Sequence, residues 1–150
     1  MQFDKSEFLI ETIVPKEELI VSRTDLKGII TYANEAFASI SGYSVDELIG
    51  KHHNIVRHPD MPKSVFKEMW DKLKNGAKWS GYVKNLRKDT GYYWVFANIS
   101  GVYKDGELVE YKSLRTPISF EDKLKYQKKY DEIRNINKER IRTVSYGTVN

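Results

Sequence analysis

The 150-residue chain contains no cysteine. That excludes disulfides, Cys-ligated zinc, iron–sulfur clusters, thiolate haem ligation and cysteine nucleophiles. It suits a cytoplasmic protein, where disulfides are rare. Long apolar runs are missing too. Stretches such as Leu19–Val21 and Val95–Phe96 fall far short of the roughly 20 residues that a membrane span needs. The start, Met1–Phe8, lacks the basic-then-apolar order of a secretory signal. No repeat, low-complexity tract or Pro/Gly-rich linker interrupts the chain. Gly-x-Gly-x-x-Gly, Walker-type and Gly-x-Ser-x-Gly motifs are absent, and the carboxylates are scattered over charged faces, so no enzyme class is indicated.

What is present describes one globular domain. Hydrophobic residues make up 40% and charged residues 31%, ordinary fractions for a chain that buries a single core. The +4 net charge is uneven: residues 51–90 carry 10 basic and 4 acidic side chains, whereas residues 1–50 carry 4 and 9. A basic middle section suits phosphate groups, of a nucleic acid or a nucleotide cofactor; it equally suits a solvated lysine-rich surface. DNA binding needs a recognition helix. Lys63–Asn75 has the charge, but its apolar stripe calls for burial.

Turn and cap residues mark the elements. Residues 1–18 read as a partly helical N-terminal cap. Leu19–Thr24 and Gly28–Tyr32 read as strands joined at Asp25–Gly28. Asn34 caps a short helix, and Ser44 with Glu47 forms the capping box of another. An irregular segment, His52–Pro62, precedes a helix over Lys63–Asn75 with Val65, Phe66, Met69, Trp70 and Leu73 along one face. Trp79–Arg87, Tyr92–Val102 and Leu108–Thr116 follow as a strand meander with hairpin turns. From Ser119 onward Phe120, Leu124, Tyr130, Ile133 and Ile136 suggest a C-terminal helix, and Thr143–Asn150 a frayed tail. The order predicts an α+β domain: one antiparallel sheet, helices on one face, and a ligand cavity between them.

Thr31-Tyr32-Ala33-Asn34-Glu35-Ala36-Phe37, then Ser41-Gly42-Tyr43-Ser44 and Glu47-Leu48-Ile49-Gly50, resemble the helical entry of PAS domains. More narrowly, His53-Asn54-Ile55-Val56-Arg57-His58-Pro59-Asp60-Met61-Pro62 resembles the FAD-binding PAS sensors of bacterial aerotaxis and energy-taxis receptors. So do Trp79-Ser80-Gly81, Val83-Lys84-Asn85, Tyr93-Trp94-Val95 and Leu114-Arg115-Thr116. The resemblance covers about residues 19–118. It implies a five-stranded antiparallel PAS sheet and non-covalent FAD, used to sense redox or oxygen status without turning over substrate. The lack of cysteine excludes the cysteinyl-adduct photochemistry of the related LOV photosensors.

The candidate cofactor-binding residues are Asn34, His53, Arg57, His58, Asp60, Trp79, Asn85 and Arg115. The Arg57 guanidinium presents fork donors suited to a pyrophosphate. His53, His58 and Asp60 lie in the same segment and suit phosphate or ribose, or simply turn formation. Alternation places Trp79, Gly81, Val83 and Asn85 on one face of their strand, and the resemblance implies that Asn85 meets a flavin ring edge. Where LOV domains carry a second ring-binding asparagine stands Val95, in an apolar wall with Ala97 and Ile99. Where they carry a glutamine stands Arg115, which favours an anionic reduced ring. Asn34 either faces the cavity toward the cofactor's sugar or adenine, or only caps its helix. A metal site at His52, His53, His58 and Asp60 is a rival, although adjacent histidines are poor zinc spacing. A haem-binding gas sensor with His58 or His53 as axial ligand is another, and a cofactor-free dimerisation module a third.

Alternation also turns Tyr82, Trp94, Phe96 and Leu114 to the outer face of the sheet, where they need a cover. The N-terminal cap (Phe3, Phe8, Ile13), the C-terminal helix, a second copy or a receptor could supply it. About 30 residues follow the PAS region, so the expected output is contact with another protein: a membrane-anchored chemotaxis transducer, another signalling protein or a homodimer partner.

Overall fold

A computed structural model describes residues 10–139. Strands β1 (Ile20–Thr24), β2 (Ile30–Ala33), β3 (Trp79–Leu86), β4 (Tyr92–Lys104) and β5 (Glu107–Thr116) form one sheet in the order β2-β1-β5-β4-β3. Every neighbouring pair is antiparallel. Helices α1 (Glu35–Ser41), α2 (Val45–Leu48) and α3 (Lys63–Lys74), with a 3-10 turn at His53–Val56, form the crossover from β2 to β3. A final helix, α4 (Phe120–Ile136), follows β5.

The caps act where the sequence puts them. The Asn34 side chain accepts from the Phe37 amide, and Ser44 with Glu47 completes a reciprocal capping box. Helix α1 stops at Gly42, whose φ of 80° lies in the left-handed region that a side chain disfavours. Arg87, just past the end of β3, donates to the Ile40 carbonyl, so the β3–β4 turn grips the C-terminal end of this helix. Helix α3 buries Met69 and Leu73 against the inner face of the sheet.

Two expectations are met only in part by the described residues. Residues 10–18 contain no helix; Glu11 instead pairs with Tyr92 as an isolated parallel bridge, with Thr12 N donating to Tyr92 O at 2.8 Å. Phe3, Phe8 and Thr143–Asn150 lie outside the described residues, and Ile13 is 63% exposed. The outer face at β3 and β4 is covered by α4, through Tyr130 and Ile133 of the stripe that the sequence suggested but not through its other three residues. Tyr126, Tyr130 and Ile133, at i, i+4 and i+7, pack on the core, whereas Phe120, Leu124 and Ile136 stay exposed. Tyr126 stacks on Tyr82 at 4.0 Å and Tyr130 on Trp94 at 6.3 Å. Trp94 is left only 4% exposed.

Candidate functional site

The inner face of the sheet and the 3-10 turn–α3 segment enclose a cavity of about 90 Å³. The register of β1, β5, β4 and β3 builds its floor. Ser22 pairs with Ser113, Arg115 lies beside Ala97, and Ala97 beside Gly81. Val83, Ala97, Ile99, Met69, Leu73 and Trp79 make most of the lining apolar. Val95 is fully buried in the core below this wall and does not line the cavity.

One polar cluster interrupts it. Arg115, 2% exposed, donates from Nη2 to Ser22 Oγ at 2.6 Å. Its Nη1 lies 3.2 Å from His53 Nε2, and Ser22 Oγ is 3.1 Å from the same nitrogen. A guanidinium can only donate, so His53 Nε2 accepts, and Ser22 directs its own hydroxyl proton there. Phe37 closes the cluster, with the guanidinium 4.3 Å above its ring and the imidazole stacked at 5.5 Å. Arg115 Nε is buried without a hydrogen-bond partner, and no carboxylate among the described residues lies within ion-pair distance of the guanidinium. Burial pushes the Arg115 pKa down to about 10, with Tyr93 opposing. It remains a cation at neutral pH. Burial likewise pushes the neighbouring Tyr93 phenol up to about 12, against Arg115 and Asn85.

His53 is held neutral. Burial first, then Arg115, lowers its pKa from 6.5 to about 3. The unfolded chain takes up the proton near pH 6.5 and the folded chain does not. This stabilisation is therefore complete above that pH and is lost as pH falls toward 3. From pH 6.5 to 5 the loss at this group alone is expected to be about 2 kcal/mol, at about 1.36 kcal/mol per unit. Urea unfolding of ligand-free protein at both pH values checks this. His53→Gln, which keeps an acceptor for Arg115, should lose that much of the slope; equal slopes would place the acid sensitivity elsewhere.

The structure brings together five of the eight candidate residues: His53, Arg57, Trp79, Asn85 and Arg115 all line the cavity. Arg57 lies over the Phe66 ring at 3.9 Å, and its backbone pairs with that of Asn85 in an isolated bridge. Trp79 lies flat along its strand because Gly81 has no side chain; a Cβ there would meet the indole at 2.5 Å.

The other three residues lie elsewhere. Asn34 does not face the cavity: its oxygen accepts from Val21 N and Phe37 N, and its amide donates to Leu19 O, tying α1 to β1. His58 is buried beside Tyr92, with Nδ1 accepting from Asp60 N at 3.0 Å. Asp60 pairs with Lys84 at 2.7 Å, on the opposite side of β3 from Asn85. With His52 packed against Gly28, the histidines are dispersed, and no described group of three or more His, Asp or Glu side chains could hold a metal ion. The haem alternative meets the same geometry: His58 is outside the cavity, and His53 Nε2 is already engaged by Ser22 and Arg115. Ser22 and Phe37 were not anticipated. The alternation Ile20, Ser22, Thr24 was the available signal for Ser22, because it points a small hydroxyl inward from a buried strand.

An antiparallel sheet whose crossover helices enclose a cavity lined by a few convergent polar groups is the architecture of a small-molecule binding site. The chain belongs to the PAS family: the PAS fold model matches residues 30–115. It is 46% identical over 111 residues to the aerotaxis receptor of Escherichia coli, covering 74% of this chain and 22% of the receptor. It is 33% identical over 112 residues to the nitrogen fixation regulatory protein of Klebsiella pneumoniae, covering 74% of this chain and 23% of the regulator. The chain thus spans less than a quarter of either relative. A light-oxygen-voltage domain whose structure was described with a flavin analogue superposes with a TM-score of 0.64 at 20% identity, covering 76% of this chain and 86% of that one. Residues 30–115 thus form a PAS domain, similar to regions of a receptor and a regulator. No described helix is long and apolar enough to cross a membrane.

Proposed function

We propose that the cavity binds FAD without a covalent bond. In this reading the chain is a cytoplasmic redox or oxygen sensor of the energy-taxis kind, signalling by protein contact and catalysing nothing. The carrying observation is Arg115: a buried cation, with no carboxylate partner among the described residues, at the wall of a largely apolar cavity that Arg57, His53 and Asn85 also line. Such a charge is costly unless something in the cavity answers it. A flavin, when bound, supplies a ring whose charge and proton content follow its redox state.

The residues suit that group. Arg115 stabilises added negative charge. Asn85 can present either end of its amide, donor or acceptor. His53 stays neutral and does not repel Arg115. Trp79 offers an aromatic face. Arg57 suits a diphosphate, which favours FAD over FMN. The cavity's about 90 Å³ is below the roughly 300–1,000 Å³ of small-molecule pockets, so lining side chains turn aside when a ring enters. Residues 19–118 would form the sensor, flanked by a cap (1–18) and a C-terminal helix and tail (119–150). The partner would be a membrane-anchored chemotaxis transducer, another signalling protein or a second copy, a reading supported by the likeness to the aerotaxis receptor.

The protein is expected to purify yellow and to release FAD, not FMN, on heating, as chromatography of the supernatant would resolve. Colourless protein that stays empty when incubated with FAD would reject this reading.

A further inference from the structure

Trp79 lines two spaces at once. On one side is the cavity of about 90 Å³; on the other, a groove of about 330 Å³ runs along the edge strand β3, between α3 and α4. Ser64 and Val65 of α3 and Tyr126, Tyr130 and Ile133 of α4 wall the groove. The indole, in a residue 3% exposed, is the partition. The groove has the volume of a small-molecule pocket, and the cavity behind it does not.

This partition is lightly held. Its Nε1 donates to Glu68 Oε1 of α3 at 3.2 Å, and the Glu68 side chain is itself 62% exposed and shared with Lys72 at 3.8 Å. Beneath the ring lies Gly81, paired in register with Ala97, where a Cβ would come within 2.5 Å of the far end of the indole. The closed position therefore exists only because residue 81 has no side chain. Other large residues of the lining are held more firmly. Met69 and Leu73 are buried on α3, Trp70 meets Tyr111 edge-on at 5.4 Å, and Arg115 is bonded to Ser22 and His53. A flavin ring does not fit in about 90 Å³, so a wall has to yield, and Trp79 is the wall with open space behind it.

We infer that Trp79 is a movable wall: an entering ring drives the indole into the α3–α4 groove, and the Glu68 tether sets how readily it goes. Tyr126 and Tyr130 give the displaced indole an aromatic surface to pack on. Cutting the tether enlarges the fraction of protein that is open to ligand, which tightens apparent affinity. The displacement by ligand rests on the flavin reading; the mobility of the wall does not.

Fluorine NMR of the full chain labelled with 5-fluorotryptophan, with Trp79 assigned by Trp79→Phe, tests the mobility without ligand. Gly81→Ala fills the closed position, and the Trp79 resonance is expected to show at least twice the parent's solvent isotope shift, with Trp70 and Trp94 unchanged. A smaller change, or equal changes at all three, overturns the movable wall. If Gly81→Ala fails to fold, Glu68→Ala takes its place with the same expectation. FAD titration of the same proteins tests the displacement. Glu68→Ala is expected to bind FAD at least threefold more tightly, and Glu68→Gln, which keeps the acceptor, within twofold of the parent. Ser64→Phe, which fills the groove, is expected to bind at least tenfold more weakly. Smaller effects in Glu68→Ala or Ser64→Phe overturn the displacement, and equal tightening in Glu68→Gln overturns the tether. Failure of the parent to bind FAD overturns the flavin reading and the displacement with it, and leaves the wall to stand or fall on the NMR result.

Discussion

Asp60→Ala is expected to lower the stability of flavin-free protein by about 3 kcal/mol, because it leaves the Lys84 ammonium buried against an amide and a ring. Removing one partner of a buried pair costs about 3–5 kcal/mol, and the lower end applies because the Asp60 side chain is 20% exposed. Urea unfolding of the flavin-free variant measures the loss. The double variant Asp60→Ala/Lys84→Met should recover most of it by removing the orphaned charge. The pH dependence follows from the same pair. Burial alone would raise the Asp60 carboxyl, but the charge and hydrogen bond of Lys84, with smaller contributions from His58 and Arg134, hold it below its ordinary 3.8. That stabilisation is present above the ordinary value and is lost as pH falls through the depressed one. Were Asp60 a direct cofactor contact instead, its loss would empty the cavity and leave flavin-free stability within about 1 kcal/mol of the parent, the scale of a surface change.

Asp60 also shows where sequence reading stops. Caps and turns are local chemistry, so Asn34, Ser44–Glu47 and the hairpin turns marked their elements to within a residue or two. Alternation on β3 correctly put Trp79, Val83 and Asn85 on the cavity side. The segment around Arg57 carries no period, and three residues across Pro59 are enough to turn Asp60 to the other side of β3. Nothing local distinguishes Arg57, which lines the cavity, from Asp60, which does not. Lys84 was missed for a related reason: a lysine in a strand reads as solvated, and only the return of α4 buries it. The same helix answers the apolar outer face. Of the five positions read from the sequence, Tyr130 and Ile133 face the sheet and Phe120, Leu124 and Ile136 do not, whereas Tyr126, which completes the covering stripe, was passed over.

The cavity and the Asp60–Lys84 pair divide the polar residues between two tasks. Around Lys84, opposite charges meet and the pair is satisfied. Around Arg115, the acceptors are neutral: a serine, a histidine held unprotonated and an aromatic ring. A charge neutralised by a carboxylate adds structure; one left for a ligand adds binding at the expense of stability.

Arg115→Met should therefore separate stability from function. In flavin-free protein it is expected to raise stability by about 1–2 kcal/mol. The depression of the Arg115 pKa from 12.5 to about 10 corresponds to roughly 3 kcal/mol of burial cost; a methionine beside Phe37 avoids this, while the lost bonds to Ser22 and His53 offset part of the gain. These two groups remain 3.1 Å apart and can still bond each other. With flavin bound, the effect reverses. A charge-assisted contact is worth about 1.5–3 kcal/mol, and one made more strongly to the reduced ring would shift a two-electron potential by about 30–60 mV. The variant's potential should fall by that amount, with at least tenfold weaker binding, whereas Arg115→Lys, which keeps charge without the fork, should lie between. Urea unfolding of the empty protein and redox titration of the loaded one give the two readings. A variant that is less stable when empty and unchanged in potential when loaded would make Arg115 a structural residue and remove the observation on which the flavin reading rests.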